Sequence, residues 1–226
     1  ESRKESAISV AKQFGFNIEP LSLNKSGKVW EISKDGKTLI QPLTSIKGLG
    51  EAAIKQILEF RPFNTIEEFL FNENIVYSKL NKKALGVLCL SGALDLLKDD
   101  RFSGDKHFWS AVAVDRAKSI KKFKENIELY EPEGEFTTQE KIEHIADLTG
   151  IFPIELVLNE ETRNRLGDLY CPPISNYDPE LCELVWFIPR EVIKRKTKNG
   201  KDYWILNVVD ETSKLTKIRC WGVRPN

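Results

Sequence analysis

Apolar residues recur at helical spacing over much of the first third of the chain. In residues 5–14 they fall on one face, which predicts a helix that ends at Gly15. The run 52–60 predicts a second helix with the same kind of spacing, and Pro62 stops it. Both patterns are typical of helices that bury one face and leave the other in water.

Two further helices follow the same rule. Thr65 with Glu68 three residues later is a capping box, which predicts the start of a short helix. The run 81–90 predicts a longer one with a buried apolar stripe, and Ser91-Gly92 breaks it before a last short helix over 93–97. The first 97 residues are therefore predicted to be mainly helical.

Sequence patterns typical of β-strands occur in two parts of the chain. Residues 29–32 and 38–41 flank Asp35-Gly36, a dipeptide that favours a tight hairpin turn. After residue 181 the pattern changes to apolar-rich strands, and Asn199-Gly200 again marks a hairpin. Three strands are predicted there, over 183–194, 203–209 and 215–223.

The middle of the chain, 98–180, has a weaker pattern. Helices are predicted there over 115–126, 139–148 and 160–169. For the second of them, Thr137 or Thr138 is the expected cap and Gly150 the expected end. Pro172-Pro173 and Pro179 mark an extended linker before the strands begin. The whole pattern predicts an α+β chain of more than one domain.

Charge changes this picture because a zero total conceals three blocks. The 226 residues hold 34 Lys+Arg and 34 Asp+Glu, which alone would argue against a nucleic-acid-binding protein. Residues 1–124 carry 21 basic and 15 acidic residues, 125–189 carry 3 and 15, and 190–226 carry 10 and 4. The net charges are +6, −12 and +6, so two basic ends enclose an acidic middle. Such blocks are expected of segments with different partners, and solvated faces of one globule are the alternative.

Several functional classes find no support in the composition. The four Cys form no Cys-x-x-Cys pair and the two His, His107 and His144, lie in unrelated contexts, so no zinc, disulfide or catalytic Cys/His site is predicted. No apolar run is long enough to span a membrane and no signal peptide is visible, so a reducing, cytoplasmic setting is expected. The chain lacks Met altogether, which indicates a piece of a longer polypeptide.

The stretch 46–54 carries the clearest chemistry. Gly48-Leu49-Gly50 allows a tight turn, and a helix is predicted to begin at once. The free N–H groups of that helix start would point at an anion, and Lys47 adds a positive charge beside them. This is the design of a helix-hairpin-helix that grips the DNA backbone without reading bases. An ordinary interhelical turn is the alternative.

A second, degenerate copy of this turn lies at Leu90-Ser91-Gly92-Ala93. It has a single Gly, and Asp95 follows closely, so we expect a packing role there rather than phosphate binding. Paired units of this kind pack as one domain.

The strands after residue 194 combine aromatic and cationic side chains. Tyr203, Trp204 and Trp221 lie among several Lys and Arg residues, a combination that stacks unpaired bases and follows their backbone. Period-two alternation places Trp204 on the more apolar face, so Trp204 is predicted to be in the core and Tyr203 is the better candidate for stacking.

Together these motifs resemble the helix-hairpin-helix part of the alpha subunit of the bacterial replicative DNA polymerase III, a C-family polymerase. The stretches that carry the resemblance are 46–54, 62–63, 68–70, 80–85 and 91–95. Residues 20–26 and the strand pair after them resemble the segment that joins the fingers to this domain, and residues 194–211 resemble the first hairpin of the OB-fold that follows it.

The resemblance implies four regions. They are a leading segment with a short hairpin at the end of the fingers, a tandem helix-hairpin-helix domain, an acidic and mostly helical connector, and an incomplete OB-fold. Their expected bounds are 1–45, 46–97, 98–180 and 181–226. The OB-fold is expected to be incomplete because only three strands fit, whereas a full barrel has five.

The implied function is that of a DNA-binding C-terminal portion of a DNA-directed DNA polymerase. It would grip duplex backbone through the first turn and single-stranded template through the strands. The predicted DNA-binding residues are Lys47, Gly48, Leu49, Gly50, Lys196, Lys198, Lys201, Tyr203, Lys217 and Arg219. The catalytic carboxylates of the family and their Mg²⁺ lie upstream of these domains, and this chain has no Asp-x-Asp, so no catalytic or metal residue is predicted in it.

Partners and alternatives stay open at this point. The family carries a clamp-binding peptide between the two domains, but the superficial match at 56–60 falls within a predicted helix and nothing in 98–180 matches well. A sliding clamp or another replisome protein is therefore an untested partner, and no membrane is expected. The alternative functions are a stand-alone DNA-binding module, or a protein-docking adaptor that uses its acidic middle and has no polymerase activity.

Overall fold

A computed structural model describes residues 2–212, 214–222 and 224–225, with side chains from residue 7 onward. By their contacts the residues divide into two compact units, Phe16–Phe152, and Glu1–Gly15 together with Pro153–Asn226. Each unit combines helices with a three-stranded sheet, so the predicted α+β class is confirmed. Within the described ranges, no helix is both long and apolar enough to cross a membrane.

The unit Phe16–Phe152 begins with a small sheet. The predicted hairpin is present, as β2 (Glu31–Ile32) pairs antiparallel with β3 (Thr38–Ile40). Asp35 holds the turn because its carboxylate accepts from the hydroxyl of Ser33 and from the backbone N–H of Lys37, and these bonds lower the pKa of Asp35 to about 2.

A third strand joins that hairpin from an unpredicted place. β1 (Asn17–Glu19) pairs in parallel with β3, which stands between β1 and β2. Three residues give too short an alternation to stand out in the sequence, and the pairing depends on a partner about 20 residues away.

Three of the helices predicted in the hairpin domain are present, and side chains cap two of them. The bounds are α2 (Glu51–Phe60), α3 (Ile66–Leu70) and α4 (Lys82–Leu90). Thr65 accepts from the N–H of Glu68, and Asn81 from that of Ala84, so both N-termini are capped by side chains. Residues 93–97, predicted as a helix, form only a 3₁₀ turn, Asp95–Leu97.

Three more helices complete this unit, namely α5 (Asp105–Trp109), α6 (Ile120–Tyr130) and α7 (Thr138–Thr149). The helix predicted over 115–126 begins five residues later, because Ser119 caps α6. Thr137 forms a full capping box with Glu140, and Gly150 ends α7 in the left-handed conformation, as the sequence predicted. The π-helical turn Ser110–Val114 was not predicted.

One hydrophobic core holds this unit together. Buried side chains from the two hairpin turns pack with side chains of α5 and α6, for example Leu88 with no exposure and Phe123 likewise. Burial of about ten such side chains stabilises a fold by about 15–30 kcal/mol before conformational entropy opposes it. The regions predicted as a hairpin domain and as its connector thus share a core up to residue 123, although their exact functional division stays a prediction.

The other unit contains α1 (Ser2–Gln13), α8 (Glu160–Asp168) and the second sheet. Its strands are β4 (Ile188–Lys196), β5 (Asp202–Val209) and β6 (Thr216–Trp221). They pair antiparallel in the order β4-β5-β6. The end of the third predicted strand, Val223, lies outside the described residues.

The second sheet contains the three antiparallel strands that the sequence predicted at the end of the chain. A five-residue turn, 197–201, joins β4 to β5, and Gly200 adopts a φ of 78° there, as the Asn199-Gly200 signal predicted. The last part of β5 is buried, with Val208 unexposed and Val209 at 5% exposure. The described strands form an open sheet that is compatible with part of a barrel.

Candidate nucleic-acid interface

The first hairpin turn has the backbone geometry expected of an anion site. A 3₁₀ turn, Leu43–Ser45, leads into it, Gly48 adopts a φ of 87°, and Gly50 is the N-cap of α2. Gly50 has an extended backbone and no side chain to cap the helix, so among the described residues the N–H groups of Glu51 and Ala52 have no intrahelical or side-chain acceptor. The residues that carry these groups, Glu51 and Ala52, are exposed.

The four predicted residues of this turn have different surroundings. Lys47, Gly48 and Gly50 are exposed, whereas the side chain of Leu49 is buried at 8% exposure. Leu49 can therefore offer only its backbone to a ligand, and its side chain anchors the turn in the core. The backbone N–H of Lys47 donates to the carbonyl oxygen of Leu148 at 2.8 Å, so the end of α7 fixes the position of the turn.

A lysine from another helix stands over this turn. A Cβ added to Gly48 would lie 3.4 Å from Cε and 4.0 Å from Nζ of Lys83, and 3.6 Å from Cγ1 of Val87. Lys83 and Val87 belong to α4, which follows Gly48 by more than 30 residues. Lys83 was not predicted as a site residue, because no local sequence pattern shows that α4 packs on the turn.

An acidic residue also lies at the start of α2. The Lys28 ammonium contacts the Glu51 carboxylate at 2.7 Å, and this hydrogen bond and the positive charge lower the pKa of Glu51. Both side chains are exposed, which makes this a weak ion pair. Lys28 thus offsets part of the negative charge that Glu51 brings to the helix start.

The second turn has a similar backbone and opposite electrostatics. Gly92 adopts a φ of 79°, and a Cβ there would lie 3.2 Å from Oδ2 of Asp95. Burial of the carboxylate, and the nearby Asp105, raise the pKa of Asp95 to about 6. The carbonyl oxygen of Ala93 accepts from the N–H of Leu23 at 2.8 Å, so this turn is tied into the fold.

The second sheet brings three of the predicted residues to one face. Cross-strand pairing sets Tyr203 opposite Trp221, and Arg219 and Lys217 follow along β6 on the same face because side chains alternate. The Tyr203 and Trp221 rings are stacked, with centroids 4.7 Å apart and planes at 21°. Arg195 pairs with Tyr203 from the other side and extends this face.

Two residues of this surface, Trp221 and Arg195, were not among the predicted DNA-binding residues. Trp221 is 61% exposed, whereas Tyr203 is half-buried between its neighbours, so Trp221 presents the larger aromatic surface. Arg195 did not enter the predicted set at all. Alternation along the strand puts Arg195 on the same face as Ile193, which pairs with Ile205. This alternation is the signal that could have placed Arg195 on the face of Tyr203.

The remaining three predicted residues do not join this face. Lys196 lies opposite Asp202 and therefore on the other face of the sheet, while Lys198 and Lys201 lie in the turn. Lys194 shares the face of Lys196, where its ammonium pairs with Asp202 at 2.7 Å and lies 5.6 Å from the Trp204 ring centroid. Trp204, predicted in the core, is half-buried.

The part of the chain that the structure describes contains no candidate metal-binding site. No group of three His, Cys, Asp or Glu side chains converges there. His107, unexposed, accepts at Nδ1 from the N–H of Ser103 at 2.9 Å, and its Nε2 donates to the carbonyl oxygen of Ile127 at 2.8 Å. This His thus stabilises the packing of α5.

Comparison with known proteins agrees with the geometry of the first unit. A family model described as a helix-hairpin-helix motif matches residues 15–103, which include both turns. The DNA polymerase III subunit alpha of Aquifex aeolicus is 26% identical over 222 residues, which are 96% of this chain and 18% of that protein.

Two other relatives match shorter stretches at higher identity. The DNA polymerase III subunit alpha of Pseudomonas aeruginosa is 31% identical over 128 residues, covering 55% of this chain and 11% of that protein. The PolC-type DNA polymerase III of Staphylococcus aureus is 41% identical over 70 residues, covering 31% and 4%. The chain thus spans less than a fifth of the length of these relatives. The resemblance drawn from the motifs is confirmed, and this chain carries a helix-hairpin-helix domain and is a relative of the alpha subunit of DNA polymerase III.

Proposed function

We propose that this chain is a DNA-binding part of a replicative DNA polymerase and that its first hairpin turn grips the backbone of the product duplex. The observation that carries the proposal is the exposed turn at Gly48, which the start of α2 follows directly and over which the Lys83 side chain lies, with Lys47 next to Gly48 in the chain. Such a site attracts a phosphate through the partial positive charge of a helix N-terminus. It contacts no base edge, so binding would be independent of sequence.

We also infer that the second sheet receives single-stranded template. The stacked pair of Tyr203 and Trp221 offers an aromatic face, and Arg195, Lys217 and Arg219 surround it with positive charge. Stacking of one base on such a ring contributes about 1–3 kcal/mol. Lys198 and Lys201 in the neighbouring turn, and Lys196 on the opposite face, would act as more distant charges along the strand path.

The activity of the whole enzyme is a further part of the proposal. Nucleotidyl transfer and its Mg²⁺ would belong to a catalytic region other than this chain, and the absence of catalytic carboxylates here stays a prediction. A sliding clamp or another replisome protein as partner is a prediction from the resemblance. A cytoplasmic setting is a prediction from the composition. The Gly48 turn favours DNA binding over the adaptor alternative, because a helix start that follows exposed glycines is suited to a phosphate.

The proposal can be tested by salt-dependent binding to a fluorescent, primed DNA. A grip on phosphates predicts a linear fall of log K with log salt, by about 0.9 for each phosphate contacted in the duplex part. Lys47→Glu should weaken the affinity for several unrelated duplex sequences by the same factor. The matched control is Lys34→Glu, which reverses a charge on the exposed β2–β3 hairpin and should have a smaller effect.

The outcomes separate the functional alternatives. A slope near zero for the unaltered chain would reject both the duplex and the single-strand proposals and would favour the adaptor. A normal slope with no response to Lys47→Glu would show that DNA binds elsewhere on the chain. A response that differs between sequences would contradict backbone recognition.

A further inference from the structure

Lys83 occupies a position that no local sequence pattern assigns. It is the second residue of α4, the helix that leads into the degenerate second turn, yet its side chain lies over Gly48 in the first turn. Cε of Lys83 lies 3.4 Å and Nζ 4.0 Å from the point that a Gly48 Cβ would occupy. The ammonium is thus held beside the glycine that leaves room for a close approach to the backbone.

The surroundings of the Lys83 ammonium differ from those of the lysine beside it. Among the ion pairs of the described residues none involves Lys83, and the side chain is exposed. Its neighbour Lys82, by contrast, points to Asp115, with Nζ 3.5 Å from Oδ1. The two adjacent lysines of α4 therefore have different neighbours, since Lys82 faces Asp115 and Lys83 faces the turn.

We propose that Lys83 is a phosphate ligand of the first hairpin, so that α4 and the turn bind the same DNA backbone. This inference rests on the proposed function. A phosphodiester has two non-bridging oxygens, and the turn presents two kinds of donor to them, N–H groups from the start of α2 and the Lys83 ammonium from above Gly48. The second helix-hairpin unit thereby contributes to DNA binding through its first helix and not through its own turn.

The size of the contribution follows from counterion release. Neutralising one duplex phosphate changes the slope of log K against log salt by about 0.9, and this term vanishes near 1 M salt. Loss of one such contact should therefore weaken binding about five- to eightfold at 0.10–0.15 M salt. The effect should be the same for unrelated duplex sequences, because the contact reads no base.

The test compares three variants of the whole chain on a short fluorescent duplex over a salt series. Lys83→Gln should weaken binding by the stated factor and reduce the slope by about one, while Lys83→Arg should keep both near the unaltered values. Lys82→Gln is the matched control, since it removes an equal charge one residue away that faces Asp115. Thermal unfolding should show that all three variants are folded.

The outcomes distinguish this inference from the proposed function. If the unaltered chain binds with a steep salt slope and Lys83→Gln leaves both affinity and slope unchanged, Lys83 is not a ligand although the proposed function stands. An equal loss in Lys82→Gln would also overturn the inference, because it would indicate general attraction. If the unaltered chain shows no salt-dependent binding, the proposed function fails first. A loss in Lys83→Gln that Arg does not restore would indicate packing over Gly48 instead.

Discussion

The two hairpin turns differ in their charge much more than in their backbone. Gly48 and Gly92 have φ values of 87° and 79°, and both precede a helical turn. A lysine ammonium lies over the first glycine, whereas an aspartate carboxylate lies against the second. A backbone shape that admits a phosphate is therefore present twice, but only one copy has surroundings that would attract it.

The helices after the turns differ in the same direction. α2 has 10 residues and starts at an exposed glycine, while the second turn leads into a 3₁₀ segment of three residues. A helix dipole needs several aligned peptides, so the second turn offers little positive potential. The two turns therefore share a backbone conformation, and the proposed phosphate site depends on the residues that surround the glycine.

The largest effect is expected from the core that the turns share. Leu88 is unexposed in α4, so Leu88→Ala should leave a cavity and lower the free energy of unfolding by about 2–5 kcal/mol. Urea denaturation would measure this loss. A loss below about 1 kcal/mol would show that the turns do not depend on a common core.

An intermediate effect should appear in the pH dependence of the second turn. The pKa of Asp95 is raised to about 6, so ionisation destabilises the fold, and the stability present below pH 4 is lost as the pH rises through 6. Asp95→Asn should remove this loss and raise the melting temperature more at pH 8 than at pH 4. Equal shifts at the two pH values would contradict the assignment, and DNA affinity should not fall in either case.

The smallest effect is expected at the first turn of α2. Glu51→Gln removes a negative charge from the proposed phosphate site and leaves Lys28 unpaired, so duplex affinity should rise. A charge at a helix terminus contributes about 0.3–1 kcal/mol, which corresponds to about a two- to fivefold change in affinity. Glu59→Gln, near the other end of the same helix, is the control and should have less effect. A weaker affinity in Glu51→Gln would contradict the site.

Local signals allowed much of the fold to be predicted from the sequence. Thr137 with Glu140, and Gly150, defined α7 because caps depend on neighbours three or four residues away. Asn199-Gly200 defined the β4–β5 turn in the same way. The turn at Gly48 was predicted because two closely spaced glycines allow a positive φ directly before a helix.

The features that were missed depend on long-range packing or on uniform burial. Residues 110–113 are all buried, so the π-helical turn has no polar face to give it a period. Lys83 reaches Gly48 only because α4 packs on the turn, which no window of sequence contains. Trp221 and Tyr203 stack through strand register, and register predicts a shared face but not which ring stays exposed.

The central claim is that the first turn, and not the second, contacts DNA. Backbone amide NMR of the whole chain titrated with a short duplex would test it most directly, because each turn has its own resonances. The account predicts that the amides of 48–52 shift with added duplex while those of 92–95 stay in place. Shifts at 92–95 with none at 48–52, or binding that moves neither turn, would contradict it.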